Sequence, residues 1–600
     1  MRATIEPRRA AAWMSALVWL LCAAMLIYIG RFYIETINFH DPDDALRLVE
    51  VRDWMAGQSW FDVTQYRSHP PLGAPMHWSR LVDVPIAFFI SVYGLFASPV
   101  MAERLALVTV PLLMLGGLFA ILHRLSVRMT GLNRAGVVAA VMLATSVGVL
   151  VQFQPMRIDH HGWQITLTML AIWLMIGREG QARRNAALAG LVMAVNLTIA
   201  IESLPLAAAL GAVLALRYLR RADALGALFA YVLTLGGVAA LLLPVMLGWR
   251  GAVLPWCDSL SPAYAAPLLV VGLVLGFAMR IVPQSRLWQR LACLAIAGSA
   301  GALLIAGATP QCLHGPFSSL DPLIYAQWYV TIKEGMPIWT QPVDLQILVP
   351  LPSILGLIGT LLAVRFDAVE RRERWIELAI VQFVAFAVSM MVMRAMGLAH
   401  VVAMPGNAWL FLSALAAAMR LTTRPGRVLA GFFCFALLPL GAEVVSAALL
   451  PNPDGPQASN KVVQKDEGPD GSSDICATHR GFAQLDRIAP AEFLTPLDIA
   501  SHILVFTHHS VVATGHHRNR EGMKTVVSAL IAEPDQARAI IATTASRYVA
   551  LCPMENEAKR FAAVFPHSLT AALVHNRAPA WLQRIPLERK DDLLLYRIVN

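Results

Sequence analysis

The stretch "VPIAFFISVYGLFAS", residues 84–98, decides the topology of this 600-residue chain. It is apolar enough to enter a membrane, yet it is short and carries Pro85 at its second position. The chain around it is 57% hydrophobic and only 14% charged, with many apolar runs long enough to cross a bilayer. That pattern is a polytopic α-helical membrane protein. Leaving out 84–98, thirteen spans are predicted: 11–31, 103–124, 135–152, 163–177, 185–200, 203–218, 223–247, 264–282, 288–307, 346–364, 376–393, 400–419 and 427–449. The first follows Arg8 and Arg9 and has no small-residue cleavage site before the polar segment, so it reads as a retained helix rather than a signal peptide.

Loop charge settles 84–98. If it does not cross, 22 arginines fall in alternate loops, from Arg2, Arg8 and Arg9 through Arg124/Arg128/Arg134 to Arg420/Arg424/Arg427. The opposite loops before the tail then hold about eight Lys and Arg. If it crosses, every later loop flips and the bias breaks. The segment therefore reads as an interfacial or re-entrant helix. The N-terminus is expected to be cytoplasmic and the C-terminal tail outside, periplasmic if the membrane is a bacterial inner membrane. The net charge of +9 belongs to this positive-inside pattern and implies no nucleic-acid partner.

The domain organisation follows. Residues 1–450 form the membrane domain, with a first outer loop at 32–83. Residues 451–475, rich in Pro, Gly, Ser and Asp, read as a linker. Residues 476–600 alternate short apolar runs ("HILVFTHHSVVAT", "RYVALCP") with helical patterns ("MKTVVSALIA", "DQARAIIATTA"), which predicts a small extracytoplasmic α/β domain. Four of the seven cysteines lie outside, so an oxidising compartment would allow Cys476–Cys552 and Cys257–Cys312 pairs.

Three outer segments gather acids. Asp41, Asp43 and Asp44 open the first loop; Asp159, His160 and His161 stand in "MRIDHHGWQ"; Glu334 lies in "WYVTIKEGMPIW". Carboxylates with imidazole are ordinary ligands for Mg²⁺ or Mn²⁺, and such an ion would hold a phosphate leaving group. A lipid-linked phosphate would explain why acids collect at a membrane face. Each segment also has a plain reading. Asp-Pro-Asp-Asp is a turn plus helix N-cap, Asp-His-His a hydrated turn, and Lys333–Glu334 a surface pair. Arg157, Glu202 and Arg80 read as interfacial anchors alongside Trp78 and Trp163.

These residues resemble the catalytic subunit of oligosaccharyltransferase and, more broadly, the GT-C class of polyprenyl-dependent glycosyltransferases, bacterial or archaeal in type. "DPDDALR" matches the family's Asp-Pro with an Arg six residues on, giving Asp41, Pro42 and Arg47. Asp159-His160-His161 matches the acidic motif between the third and fourth spans. Thr331-Ile332-Lys333-Glu334 matches Thr-Ile-x-Glu in the long outer loop, and Arg394 occupies the place of the phosphate-binding arginine. The resemblance implies that Asp41, Asp159, His161 and Glu334 hold a divalent metal, with Asp43 or Asp44 able to replace Asp41 and His160 and Glu202 nearby. It implies that Asp41 and Glu334 orient the acceptor, and that Arg394, with Arg157, binds the donor phosphate. The donor would be a polyprenyl-linked sugar seated among membrane lipids, and the acceptor a protein, lipid or glycan. One motif is missing: the family's Trp-Trp-Asp-Tyr-Gly has no counterpart, and "FTHHSVVATGHHRNREGM" stands there instead. His508, His509, His516, His517 and Arg518 then line a different acceptor or donor surface, or are polar residues of a strand-turn-helix. A zinc site built from the two His-His pairs has no cysteine partner nearby.

Two other classes stay open from sequence: a transporter or flippase of lipid-linked sugar, and a non-catalytic glycan-binding member. Acids at one face, near-empty span centres and no internal repeats weigh against transport.

Overall fold

The computed structural model describes residues 7–177, 179–317, 320–442, 444, 479–587 and 593–599. The expected linker 451–475, the end of the last expected span and Cys476 lie outside them.

Nine helices among the described residues are long and apolar enough to cross a membrane by length and composition. They run from Arg8–Ile29 and Pro99–Thr130 to Val369–Met391 and Met393–Met419. The other four expected spans fall on the shorter helices Asn133–Ala144, His161–Met175, Ala182–Ile199 and Arg424–Ala436. The apolar run 84–98 begins inside the helix Arg80–Tyr93, which is 14 residues long and packs on Pro99–Thr130. At 1.5 Å per residue such a helix spans about 21 Å, short of the hydrocarbon core. Ser79 caps it, its side chain accepting from the Leu81 N–H.

Lipid offers no hydrophobic drive between helices, so close backbone approach takes its place. The helices Leu351–Phe366 and Met396–Met419 meet through Gly356, Gly359 and Gly406. A Cβ built on Gly406 would lie 2.2 Å from the Gly356 carbonyl oxygen. Buried polar side chains add links: Asn407 donates to the Pro352 carbonyl at 3.0 Å, and Gln382 to the Val402 carbonyl at 3.1 Å.

The C-terminal region carries a five-stranded mixed sheet in the order Ser510–Val511, Glu492–Leu494, Ser546–Leu551, Leu594–Ile598, Leu582–Ile585. The first three run parallel and the last two antiparallel. "RYVALCP" lies on the central strand, and the two helical patterns form Arg520–Ile531 and Pro534–Ile541. "HILVF" is a correction: it ends the helix Leu497–Phe506 and is no strand. That helix is buried around nearly its whole circumference, all of its residues but Asp498 being buried, and it packs against Pro42–Met55 from the first outer loop.

The first outer loop docks on this region through its backbone. Arg67 donates to the carbonyls of Leu504 and Thr507, each at 2.8 Å, and Val511 N–H donates to the Arg67 carbonyl at 2.8 Å. Cys257 and Cys312 form a disulfide with Cα atoms 5.0 Å apart, joining the two loops expected from sequence. Cys552 is also disulfide-bonded.

Candidate active site

The site begins at the N-terminus of Pro42–Met55. Asp41 is its N-cap, accepting from the Asp43 N–H at 2.9 Å, and Pro42 occupies the first helical position. The capping reading of the acidic run is therefore true of Asp41. Asp43 and Asp44 follow in the first turn, where the helix dipole favours carboxylates.

Asp44 is fully buried and reaches across to the loop of Asp159. Its Oδ1 accepts from the backbone N–H groups of Ile158 and Asp159 at 2.8 and 2.9 Å. Its Oδ2 accepts from Arg157 Nη1 at 2.9 Å, and the same nitrogen lies 3.1 Å from Asp41 Oδ2. Met156, just before Arg157, takes a left-handed conformation at φ 72° and donates its N–H to the Leu107 carbonyl at 3.1 Å. That tight turn aims Arg157 back at the acids. Burial pushes Asp44 up to about 7, with Arg157 pulling the other way.

Asp159 lies at the centre. Its Oδ1 accepts from the backbone N–H of His160 and pairs with His160 Nδ1; its Oδ2 is 3.4 Å from His161 Nε2. Burial pushes its carboxyl up, but His160 and His161, with Arg157, hold it well below the usual range. Asp159, His160 and His161 offer donor atoms that all lie within 4.8 Å of one another. A carboxylate with two imidazoles is a donor set that fits a divalent ion.

Glu334 enters from a run of short 3₁₀ turns. The Lys333 carbonyl accepts from Gln341 Nε2 at 2.6 Å, and Met393 N–H donates to the Met336 carbonyl at 3.2 Å. The second bond ties the loop to the turn that bears Arg394. Burial raises Glu334 above its ordinary value, Asp41 adds to this, and Arg157 and Arg394 oppose it. Arg394 pairs with Glu202 and stands within electrostatic reach of Glu334 and Asp159. A cavity beside these residues is lined by His160, Glu202, Thr198, His77, Asp258 and Ser259. A second cavity, lined by Arg8, His123, Arg124 and Arg128, lies among the basic loops and has no carboxylate among its described lining residues.

Several partners escaped the sequence reading. Arg47 is 1% exposed, pairs with Asp83 at 3.1 Å and Glu50 at 3.7 Å, and lies 3.9 Å from Asp159 Oδ1. Its guanidinium covers the Trp78 ring at 4.4 Å. Arg80 is buried too, donating to Asp83 at 3.2 Å and to the Glu50 carbonyl at 3.1 Å. Arg80 and Trp78 are thus interior supports of the first outer loop and not interfacial anchors. The signal was three charged residues, Glu50, Arg80 and Asp83, beside an apolar run.

The two His-His pairs part company. His508 stays exposed beside Asp486, its Nε2 2.9 Å from the Ile488 carbonyl, whereas His509 turns inward, its Nε2 2.8 Å from the Leu485 carbonyl. His516 and His517 face His77 of the first outer loop, and Arg518 pairs with Asp258.

Long apolar helices, an acidic centre at one end and an appended α/β region make up a mostly helical integral membrane protein. Residues 50–246 match the family model described as "Oligosaccharyl transferase STT3, N-terminal". The structure resembles archaeal oligosaccharyltransferase AglB from Archaeoglobus fulgidus, solved with an inhibitory peptide and a dolichol-phosphate, at 15% identity and a TM-score of 0.62 over 93% of this chain and 72% of that one. It also resembles the A. fulgidus enzyme tethered to an acceptor peptide containing the NVT sequon, at 13% identity, TM-score 0.63, and 98% and 74% coverage. The same enzyme in complex with Zn and sulfate aligns at 15% identity, TM-score 0.59, over 91% and 69%. No curated protein sequence matches the chain.

Proposed function

We propose that this protein is a membrane glycosyltransferase that moves a sugar or oligosaccharide from a polyprenyl-phosphate or polyprenyl-diphosphate donor to an extracytoplasmic acceptor. The observation that carries this is the clasp of Arg157 on Asp41 and Asp44, which brings the first loop's acids to the Asp159 turn, with Glu334 and Arg394 within electrostatic reach. The dolichol-phosphate and the acceptor peptide of the A. fulgidus structures support the same donor and acceptor classes.

The reaction is a displacement at the anomeric carbon. The acceptor nucleophile forms the new bond to C1, the C1–O bond to phosphate breaks, and the polyprenyl phosphate or diphosphate leaves. Glu334, raised by burial and by Asp41, takes the acceptor's proton, and Asp41 orients the nucleophile. Arg394 binds the donor phosphate through its paired N–H groups, exchanging Glu202 for it. Arg157 and Arg47 keep Asp41, Asp44 and Asp159 in place before the donor arrives. Asp159, His160 and His161, with Asp41 and Glu334 at hand, would hold a divalent ion of the Mg²⁺ or Mn²⁺ class, which would neutralise charge on the leaving phosphate. Imidazole donors favour Mn²⁺ over Mg²⁺.

The outer face is taken to be extracytoplasmic, with the N-terminus cytoplasmic and the membrane a bacterial inner membrane. The arginine asymmetry and the Cys257–Cys312 disulfide support this orientation. Mass spectrometry of envelope glycans with and without the chain tests the proposal and names the acceptor. Loss of a glycan from a protein, lipid or polysaccharide is expected. Unchanged glycans together with flux of lipid-linked sugar across vesicles containing the pure protein would replace transferase by transporter.

A further inference from the structure

We propose that His77, His516 and His517 form a second metal site, for zinc or a similar borderline divalent ion, separate from the acidic centre, which locks the first outer loop to the C-terminal region.

The three imidazoles come from two distant parts of the chain and converge with donor atoms within 4.8 Å of one another. Their ring centroids are 4.9, 4.9 and 5.1 Å apart. Imidazole nitrogens sit about 2.0–2.1 Å from zinc, which in tetrahedral geometry puts the ring centres about 5 Å apart. His77 Nδ1 and His516 Nε2 are 2.7 Å apart. Two such nitrogens facing each other need one proton or one cation between them. Ligand nitrogens about 3.3 Å apart would require this pair to open by roughly half an ångström.

The protein's own bonds leave the cluster unexplained. His516 is 3% exposed, its Nδ1 has no hydrogen-bond partner, and its Nε2 meets only another imidazole. His517 has the support that metal-bound histidines carry: its Nε2 is 2.7 Å from Asp258 Oδ2, which fixes the ring and frees Nδ1. Asp258 is itself gripped by two nitrogens of Arg518 at 2.7 Å each. The donor set is imidazole alone, whereas the acidic centre is built around a carboxylate. The softer set suits zinc over Mg²⁺. His77 also lines the cavity that contains His160 and Glu202.

The test uses the full chain in detergent, stripped with chelator and reloaded with Zn²⁺ or Co²⁺. Metal is counted by mass spectrometry, and Co²⁺ is followed by its visible absorption. Asp159→Asn is expected to retain one zinc and a tetrahedral Co²⁺ spectrum; His516→Ala and His77→Gln, each placed on the Asp159→Asn parent so that the acidic centre contributes no ion, are expected to lose both. X-ray absorption of zinc-loaded Asp159→Asn should show three imidazoles around the ion, a readout that needs no histidine variant to fold. A shell of oxygens alone, equal zinc in the histidine variants and the parent, or loss of all zinc in Asp159→Asn would each overturn the proposal.

Discussion

Arg157 donates to Asp44 Oδ2 at 2.9 Å across 113 positions of sequence, and both side chains are buried. This pair holds the first outer loop against the Asp159 turn. Removing one partner of a buried pair leaves the other uncompensated. Arg157→Met is expected to cost about 3 kcal/mol at pH 8. The loss should shrink at lower pH. Asp44 titrates at about 7 against an ordinary 3.8, so the native state binds its proton more tightly than the unfolded chain does. Its contribution to stability is full below about pH 4 and falls as pH rises to about 7. Without Arg157 the native value climbs further and the fall deepens. Thermal unfolding in detergent at pH 5 and pH 8 reads the difference; an equal loss at both would reject the coupling.

Glu334 tests the chemistry. Glu334→Gln keeps size and removes the proton acceptor, so transfer should drop by at least ~10²-fold with unfolding unchanged. Because Glu334 is raised, parent activity should fall as pH drops through a midpoint above the ordinary glutamate value of 4.5. A rate assay with lipid-linked donor checks both. Normal transfer by the variant would exclude Glu334 as the base.

The acids were legible because three separate segments carry them to one face of the membrane, although each alone has a plain reading as a cap, a turn or a surface pair. Their partners were not. Asp83 meets Arg47 36 positions away, and His77 meets His516 439 positions away. No local pattern encodes such pairing. The run containing Val505 and Phe506 misled for a different reason. A helix buried on nearly all faces has no 3.6-residue polarity period, so it reads like a strand until its neighbours are known.

Helix packing gives a prediction independent of catalysis. Gly406→Ala places a methyl 2.2 Å from the Gly356 oxygen, a backbone atom that cannot swing away. The two helices must separate, at a cost of about 1–3 kcal/mol. Gly431→Ala, where a Cβ meets nothing within 4 Å, is the matched control and should leave the melting temperature unchanged or slightly higher. Equal melting of both variants would mean that the interface yields.

Arg67 measures how firmly the C-terminal region is docked. Its guanidinium takes the carbonyls of Leu504, Thr507 and His509. Arg67→Ala leaves those oxygens without their charged donor, worth about 1.5–3 kcal/mol. Hydrogen exchange should speed up in 497–511 while the spans keep their protection. Uniform exchange with the parent would show that the helix Leu497–Phe506 alone holds the contact.

Arg394 tests where the donor phosphate sits. Its guanidinium pairs with Glu202, so an incoming phosphate must displace that carboxylate. Arg394→Lys keeps one positive charge and loses the two-pronged grip that a phosphate accepts. Loss of one charge-assisted bond of about 1.5 kcal/mol raises the donor KM roughly tenfold. The kcat should fall as well, because Arg394 touches the leaving phosphate, whose charge grows as the C1–O bond breaks. Glu202→Gln should act in the opposite sense, lowering donor KM by removing the competing anion. A tighter donor in Glu202→Gln and a weaker one in Arg394→Lys would place the phosphate at this guanidinium. Identical donor KM in both variants and the parent would move it elsewhere.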